Sequence, residues 1–297
     1  MDGLNLILSH SGFGLAVGVL YALLAGYFWF TRVRQKNLFI NSNDTLKSRA
    51  GLGFSGTERV VISLVVALHA AVLLAGLSEF ARFGFAHALS AMMLCALIVY
   101  GFESLAYRLD GMLTLVLPVA AVAVILPMFF PGAVLSAEVG TSGARLILVL
   151  HIAVAMAAYG LLTIGAAHAM LMTVAERGLH ARKGRGLQAQ DTGRVLPPLL
   201  TLERLLFRFI WIGFGLLTLT LVSGVIFNEE LFGRAARFNH KTVFAVLSWF
   251  IFAGLLAGRV IAGWRGRTAV KWTLAGYAVL LLAYVGSRFV LEVVLKR

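Results

Sequence analysis

Seven histidines are the residues of this chain whose chemistry suggests a cofactor site. Three of them fall within or beside long apolar runs: His69 in LVVALHAAVLLAG, His151 in RLILVLHIAVAMAAYG and His240 in RFNHKTVFAVLSWF. A neutral imidazole ligates haem iron without adding charge, which suits a ligand inside a lipid bilayer. A histidine inside a membrane more often hydrogen-bonds to a neighbouring helix, so both roles stay open for all three.

Other chemical signatures are missing from the sequence. The single cysteine, Cys95, lies in an apolar run and is expected to be a small buried hydrophobe. The chain has no CxxCH haem-attachment motif, no HExxH or CxxC metal motif, and no P-loop or GxSxG elbow. Its carboxylates fall near the ends of the apolar runs, which argues against a proton-coupled transporter. We therefore expect no catalytic residues of the common kinds.

The composition indicates a membrane protein. Of 297 residues, 60% are hydrophobic and 13% are charged, and the mean hydropathy is +0.90. Soluble domains carry about a quarter charged residues. The net charge of +13 comes from Lys and Arg in short segments between apolar runs, which predicts contact with anionic lipid and no nucleic-acid binding.

Eight apolar runs are long enough to cross a bilayer. We predict an all-α fold, a polytopic membrane helix bundle of eight transmembrane helices that forms a single transmembrane domain over 1–297. The predicted spans lie near 11–31, 60–79, 87–107, 112–133, 145–174, 208–228, 242–263 and 272–294.

The loop charges predict the orientation. Alternate loops carry 18 Lys and Arg on one side and 8 on the other, which places both termini outside, in the periplasm. The first apolar run has its positive charges behind it, so we expect an uncleaved helix there and no signal peptide. The basic loops 32–59 and 176–207 are then cytoplasmic, and Leu199–Arg208 is expected to be an interfacial amphipathic helix leading into the sixth span. His69, His87, His151 and His240 would lie between mid-membrane and the outer face.

The C-terminal half, from His151 to Arg288, resembles the cytochrome c assembly family of membrane proteins, which includes the CcsA, CcmC and HemX types. The segments that carry the resemblance are LLTLERLLFRFIWIGFGLLTLTLVSGVIF, LAGYAVLLLAYVGSRFVLEVVL and above all SWFIFAGLLAGRVIAGWRGR. They are most similar to an inner-membrane subgroup of that family, and the resemblance extends to His69 in an early span. It implies a bacterial inner-membrane location and a haem-handling role.

In that family, members that deliver haem carry an external tryptophan-rich loop between two external histidines, and the larger members add two intramembrane histidines. By resemblance, His151 corresponds to the first external histidine and His69 to the first intramembrane one. Phe238-Asn239-His240-Lys241 stands where the tryptophan-rich motif ends, without its tryptophans and aspartate. Ala257 stands near the second intramembrane position, and no histidine follows Arg288. The candidate ligand pairs are therefore His151 with His240, or His69 with His151.

The leading hypothesis is a haem-handling protein that supports cytochrome c assembly or haem homeostasis. Arg145 and Arg237, near the outer face, are candidate partners for haem propionates, because an arginine fork matches a carboxylate. Their alternative role is snorkelling to the interface. Partners would be membrane lipid and proteins of cytochrome maturation or haem biosynthesis. Two other functions stay open: a non-haem accessory protein that docks through the basic loop 176–207, and a small-molecule transporter.

Overall fold

The computed structural model describes residues 2–34, 55–80, 82–107, 110–134, 142–182, 199–232, 240–286 and 289. Side chains at several helix ends lie outside this described part. Nearly all of the described chain is helical. The helices are α1 Asp2–Phe28, α2 Gly56–Phe80, α3 Phe85–Ala106, α4 Asp110–Phe129, α5 Ser142–Arg182, α6 Leu199–Phe232, α7 His240–Ile261 and α8 Gly266–Leu281.

The prediction of an all-α bundle with eight spans is confirmed. Within the described ranges, eight helices are long and apolar enough to cross a membrane, and they correspond one to one to α1–α8. A π-helical turn, Trp29–Arg34, continues α1, and another, Leu282–Gly286, continues α8. Large apolar side chains such as Phe102 and Leu105 are more than half exposed, as expected for surfaces that contact lipid.

The helix ends form two groups, which define the two ends of the bundle. At one, here called the basic end, Tyr27 of α1 donates a hydrogen bond to Glu58 of α2 (3.1 Å). Glu176 of α5 pairs there with Arg267 of α8 (3.1 Å). At the opposite end, the connection after α2 pairs with the connection after α4. This pairing joins two-residue antiparallel strands, β1 Arg82–Phe83 and β2 Ala133–Val134.

Gly132 makes the strand pairing possible. Its φ is +71°, a left-handed conformation that side chains rarely adopt. A Cβ atom at this position would lie 2.6 Å from the backbone nitrogen of Gly84. The backbones after α2 and after α4 therefore approach each other more closely than any residue other than glycine would allow.

Helix α3 lies at the centre of the bundle, with the largest buried share of the eight spans. It packs against α4 and α5, while α5 and α6 form the most extensive helix pair. Small residues allow the close approach that membrane helices need in order to associate. A Cβ atom on Gly160 of α5 would lie 2.5 Å from the Cβ of Cys95 on α3, so this crossing has no spare room.

Helical residues of α5 and α6 extend into both ends of the segment predicted as the second basic loop, 176–207. Helix α5 continues to Arg182, and α6 begins at Leu199, so the segment 183–198 lies outside the described residues. The interfacial helix expected at Leu199–Arg208 is instead the first part of one continuous helix, α6. The reason is burial, because Leu202 and Leu206 are fully buried in the protein core rather than lying along a membrane surface.

Candidate functional site

His69 lies in a buried polar contact between α1, α2 and α3. Its side chain is fully buried. The hydroxyl of Tyr21 lies 3.2 Å from Nδ1, and the hydroxyl of Ser90 lies 2.8 Å from Nε2. In either neutral tautomer, one ring nitrogen donates a hydrogen bond and the other accepts one. Both nitrogens of His69 are thus used by neighbouring helices, and an iron ligand at this position would have to break one of these bonds.

His151 lies between α5 and α6 and is only partly buried. Its Nδ1 atom is 2.8 Å from the hydroxyl oxygen of Ser223. Gly224 follows on α6, and a Cβ atom there would come within 3.5 Å of the imidazole. This is an ordinary van der Waals distance, so Gly224 borders the ring without being required for its packing.

The hydrogen bonds around His151 favour one tautomer of the neutral ring. The Ser223 hydroxyl donates to the backbone carbonyl of Thr220 (3.1 Å), and a carbonyl can only accept. When the hydroxyl hydrogen is used there, the Ser223 oxygen accepts the hydrogen bond from His151 Nδ1–H. The neutral ring then carries its lone pair on Nε2. Metal-ligating histidines are commonly oriented by a partner on the other nitrogen in this way.

An aromatic cluster lies at the opposite end from the basic one, near the start of α7. Phe83 and Tyr284 have ring centroids 6.3 Å apart, and Phe83 also lies 6.3 Å from the ring of His87. The Lys241 ammonium lies 5.5 Å from the centre of the Tyr284 ring. Tyr284 also packs against a small apolar cluster that contains Ile152, the residue after His151. The start of α7 and the His151 region therefore belong to the same end of the bundle.

His240 is the first residue of α7, and its side chain is exposed. The two arginines predicted to be near the outer face cannot be placed. Arg237 lies outside the described residues, and Arg145 belongs to α5 by its backbone while its side chain lies outside them. Of the predicted site residues, His69, His151 and His240 thus occupy three different settings: fully buried, partly buried and exposed.

A buried pair that sequence reasoning missed lies between α3 and α5. His168 Nε2 is 2.8 Å from Glu103 Oε1, and the two side chains are 0% and 3% exposed. His168 Nδ1 is 2.8 Å from the carbonyl oxygen of Ile164, to which it must donate. The only signal in the sequence was that both residues fall towards the same ends of their spans. Nothing in the sequence indicated that they face each other.

The segment that carried the family resemblance most strongly forms a charged cluster at the basic end. Glu203 of α6 accepts hydrogen bonds from Arg259 (2.9 Å) and from Arg265 (3.1 Å). Arg259 also donates to the carbonyl of Trp264 (3.1 Å). A Cβ atom on Gly258 would lie 2.3 Å from the Trp264 ring, so only glycine allows this packing. Because these contacts join α6, α7 and α8, the segment has a structural role in the bundle.

Together these features define a class: a polytopic membrane helix bundle that carries polar and histidine-containing contacts between its spans. The chain matches a family model described as "Cytochrome C assembly protein" over residues 58–295. Since the match covers most of the chain, the protein belongs to this cytochrome c assembly family.

The chain is also similar to curated proteins of two names. The chain is 31% identical to "Inner membrane protein YpjD" of Escherichia coli strain K12 over 183 aligned residues. The alignment covers 62% of this chain and 65% of the relative. It is 29% identical to "Cytochrome c biogenesis protein CcsA" of Prochlorococcus marinus strain MIT 9215 over 160 aligned residues. That alignment covers 48% of this chain and 50% of the relative. The matches thus span between half and just under two thirds of these relatives. No solved structure matches the chain.

Proposed function

We propose that this protein handles haem in the bacterial inner membrane, in support of cytochrome c assembly or haem homeostasis. The family membership and the names of the relatives support this role and this location. The loop charges favour both termini in the periplasm, which would place His151 towards the outer face. Haem, if bound, would supply an iron that takes nitrogen ligands and propionates that pair with cations.

The observation that carries the proposal is the hydrogen-bond chain from His151 through Ser223 to Thr220. It orients the imidazole, and with the ring donating from Nδ1 the iron-binding lone pair would be on Nε2. His151 is therefore the proposed ligand. His240, at the same end of the bundle, is the proposed second ligand, while Arg145 and Arg237 are candidate propionate partners. Membrane lipid and proteins of cytochrome maturation or haem biosynthesis are the proposed partners.

His69 fits a structural role better than a ligand role, because Tyr21 and Ser90 use both of its ring nitrogens. The two roles can be separated experimentally. We expect His69→Ala to lower the melting temperature of the purified protein while the haem spectrum of the folded fraction stays unchanged. A spectrum that changes as it does in a His151 variant would restore His69 as a ligand.

Absorbance spectroscopy of the protein in detergent, after loading with haem, tests the proposal. We expect a Soret band that His151→Ala weakens or shifts and that added imidazole restores. His180→Ala is the matched control, since His180 lies on the same helix at the basic end. A loaded wild-type protein without a Soret band would exclude haem binding and would favour an accessory role. A band unchanged in His151→Ala would exclude His151 as the ligand.

A further inference from the structure

A groove opens between α2 and α3 towards the basic end of the bundle. It is open on one side and has a volume of about 290 Å³. Its lining includes Arg59 and Val66 of α2, and Leu97, Tyr100, Gly101 and Leu105 of α3. Along α2 the lining covers two turns, or about 10 Å at 1.5 Å per residue. Tyr100 and Leu97, each 2% exposed, form its floor. The groove is thus a real indentation between two membrane spans.

The space arises at Gly101. A Cβ atom at this position would meet no heavy atom within 4 Å, in contrast to Gly160 on α5. The walls around it are mostly apolar, and the outward-facing Phe102 and Leu105 are 72% and 67% exposed. Because these walls belong to helices that cross the membrane, a hydrocarbon chain is the natural occupant.

Arg59 provides a positive charge at the mouth of the groove. The backbone at Arg59 belongs to the first turn of α2, which begins in a capping box: Glu58 N–H donates to the Ser55 hydroxyl, and Ser55 N–H donates to Glu58. The second oxygen of Glu58 accepts from Tyr27 on α1. Arg59 itself is exposed, and within the described part of the chain its guanidinium forms no hydrogen bond or ion pair.

We infer that this groove binds an anionic phospholipid, with an acyl chain between α2 and α3 and the headgroup phosphate at Arg59. A guanidinium fork matches two phosphate oxygens, and the start of α2 lies where the headgroups of one leaflet would be. The loop charges favour the cytoplasmic leaflet, which is rich in anionic lipid. This site is independent of the proposed haem site.

Native mass spectrometry tests the inference on the whole protein, reconstituted with phosphatidylglycerol or with phosphatidylcholine carrying the same acyl chains. We expect the wild type to retain phosphatidylglycerol preferentially. Arg59→Gln should reduce that retention about five-fold, the effect of one cationic side chain near a membrane surface. Gly101→Met should reduce the retention of both lipids, because it fills the groove. Arg204→Gln is the control, as Arg204 is exposed at the same end but lies away from the groove.

Three outcomes would overturn the inference. Equal losses in Arg204→Gln and Arg59→Gln would show that the lipids respond only to the overall surface charge. Unchanged retention in Gly101→Met would show that no acyl chain enters the groove. A Gly101→Met variant that changes from dimer to monomer with the same lipid count would identify a second copy as the occupant. Should Gly101→Met fail to fold, Val66→Phe narrows the same groove from α2.

Discussion

His168 Nε2 and Glu103 Oε1 lie 2.8 Å apart in the core, and among the described residues neither atom has another polar partner. Since His168 Nδ1–H donates to Ile164, the contact with Glu103 requires one shared proton. Either an imidazolium donates to a carboxylate, or a carboxylic acid donates to the neutral ring. In both forms the pair is neutral overall, which makes its burial between α3 and α5 tolerable.

We predict that removing one member of this pair is more harmful than removing both. Glu103→Leu should cost about 1–3 kcal/mol of stability, because it leaves a buried ring nitrogen unpaired. Glu103→Gln should cost less, since the amide can donate to that nitrogen. The double variant Glu103→Leu with His168→Phe should recover much of the loss. Thermal unfolding in detergent gives the three values, and a double variant less stable than Glu103→Leu would contradict the prediction.

Ser223 should affect haem binding without contacting haem. If His151 is the ligand, Ser223→Ala removes the acceptor that orients the ring and should weaken haem affinity by about 10-fold to 100-fold. Haem titration followed by absorbance measures this change. Ser223→Thr keeps a hydroxyl and is the control. Equal affinities in wild type and Ser223→Ala would show that Ser223 does not position the ligand.

Two glycines should respond oppositely to the same substitution. Gly160→Ala places a methyl group 2.5 Å from the Cβ of Cys95. This overpacking between α5 and α3 should cost about 1–3 kcal/mol. Gly101→Ala meets open space and should be neutral or stabilise α3 by about 0.5–1 kcal/mol. Melting temperatures of the two variants in one detergent provide the test, and a tolerated Gly160→Ala would show that the helices separate easily.

Two carboxylates at the basic end should differ in how much they stabilise the folded protein. The Glu203 side chain is 9% exposed and binds two arginines, whereas Glu176 is 22% exposed and binds Arg267, itself 67% exposed. Glu203→Ala should cost about 3 kcal/mol, because it leaves Arg259 largely desolvated without its counter-charge. Glu176→Ala should cost at most about 1 kcal/mol. Equal melting temperatures for the two variants would refute the difference.

Much of the architecture could be predicted because lipid imposes a simple rule on sequence. A helix that crosses a bilayer must satisfy its backbone internally and present apolar side chains, so each span appears as a long apolar run. Eight such runs predicted α1–α8. The sixth span was predicted to begin near 208, whereas α6 begins at Leu199. The sequence could not show this, because a surface helix and a helix packed in the core have the same amphipathic pattern. Only the burial of Leu202 and Leu206 decides between them.

The sequence by itself determined the class, the eight spans, the family and the candidate histidines, since these depend on composition and local pattern. Only the tertiary structure decided what each histidine contacts: His69 with Tyr21 and Ser90, His151 with Ser223, and His168 with Glu103. Each of these pairs joins different helices, and lipid places no constraint on which faces of two helices meet. That choice depends on side-chain packing across the whole bundle, and the spacing of residues along one chain does not contain it.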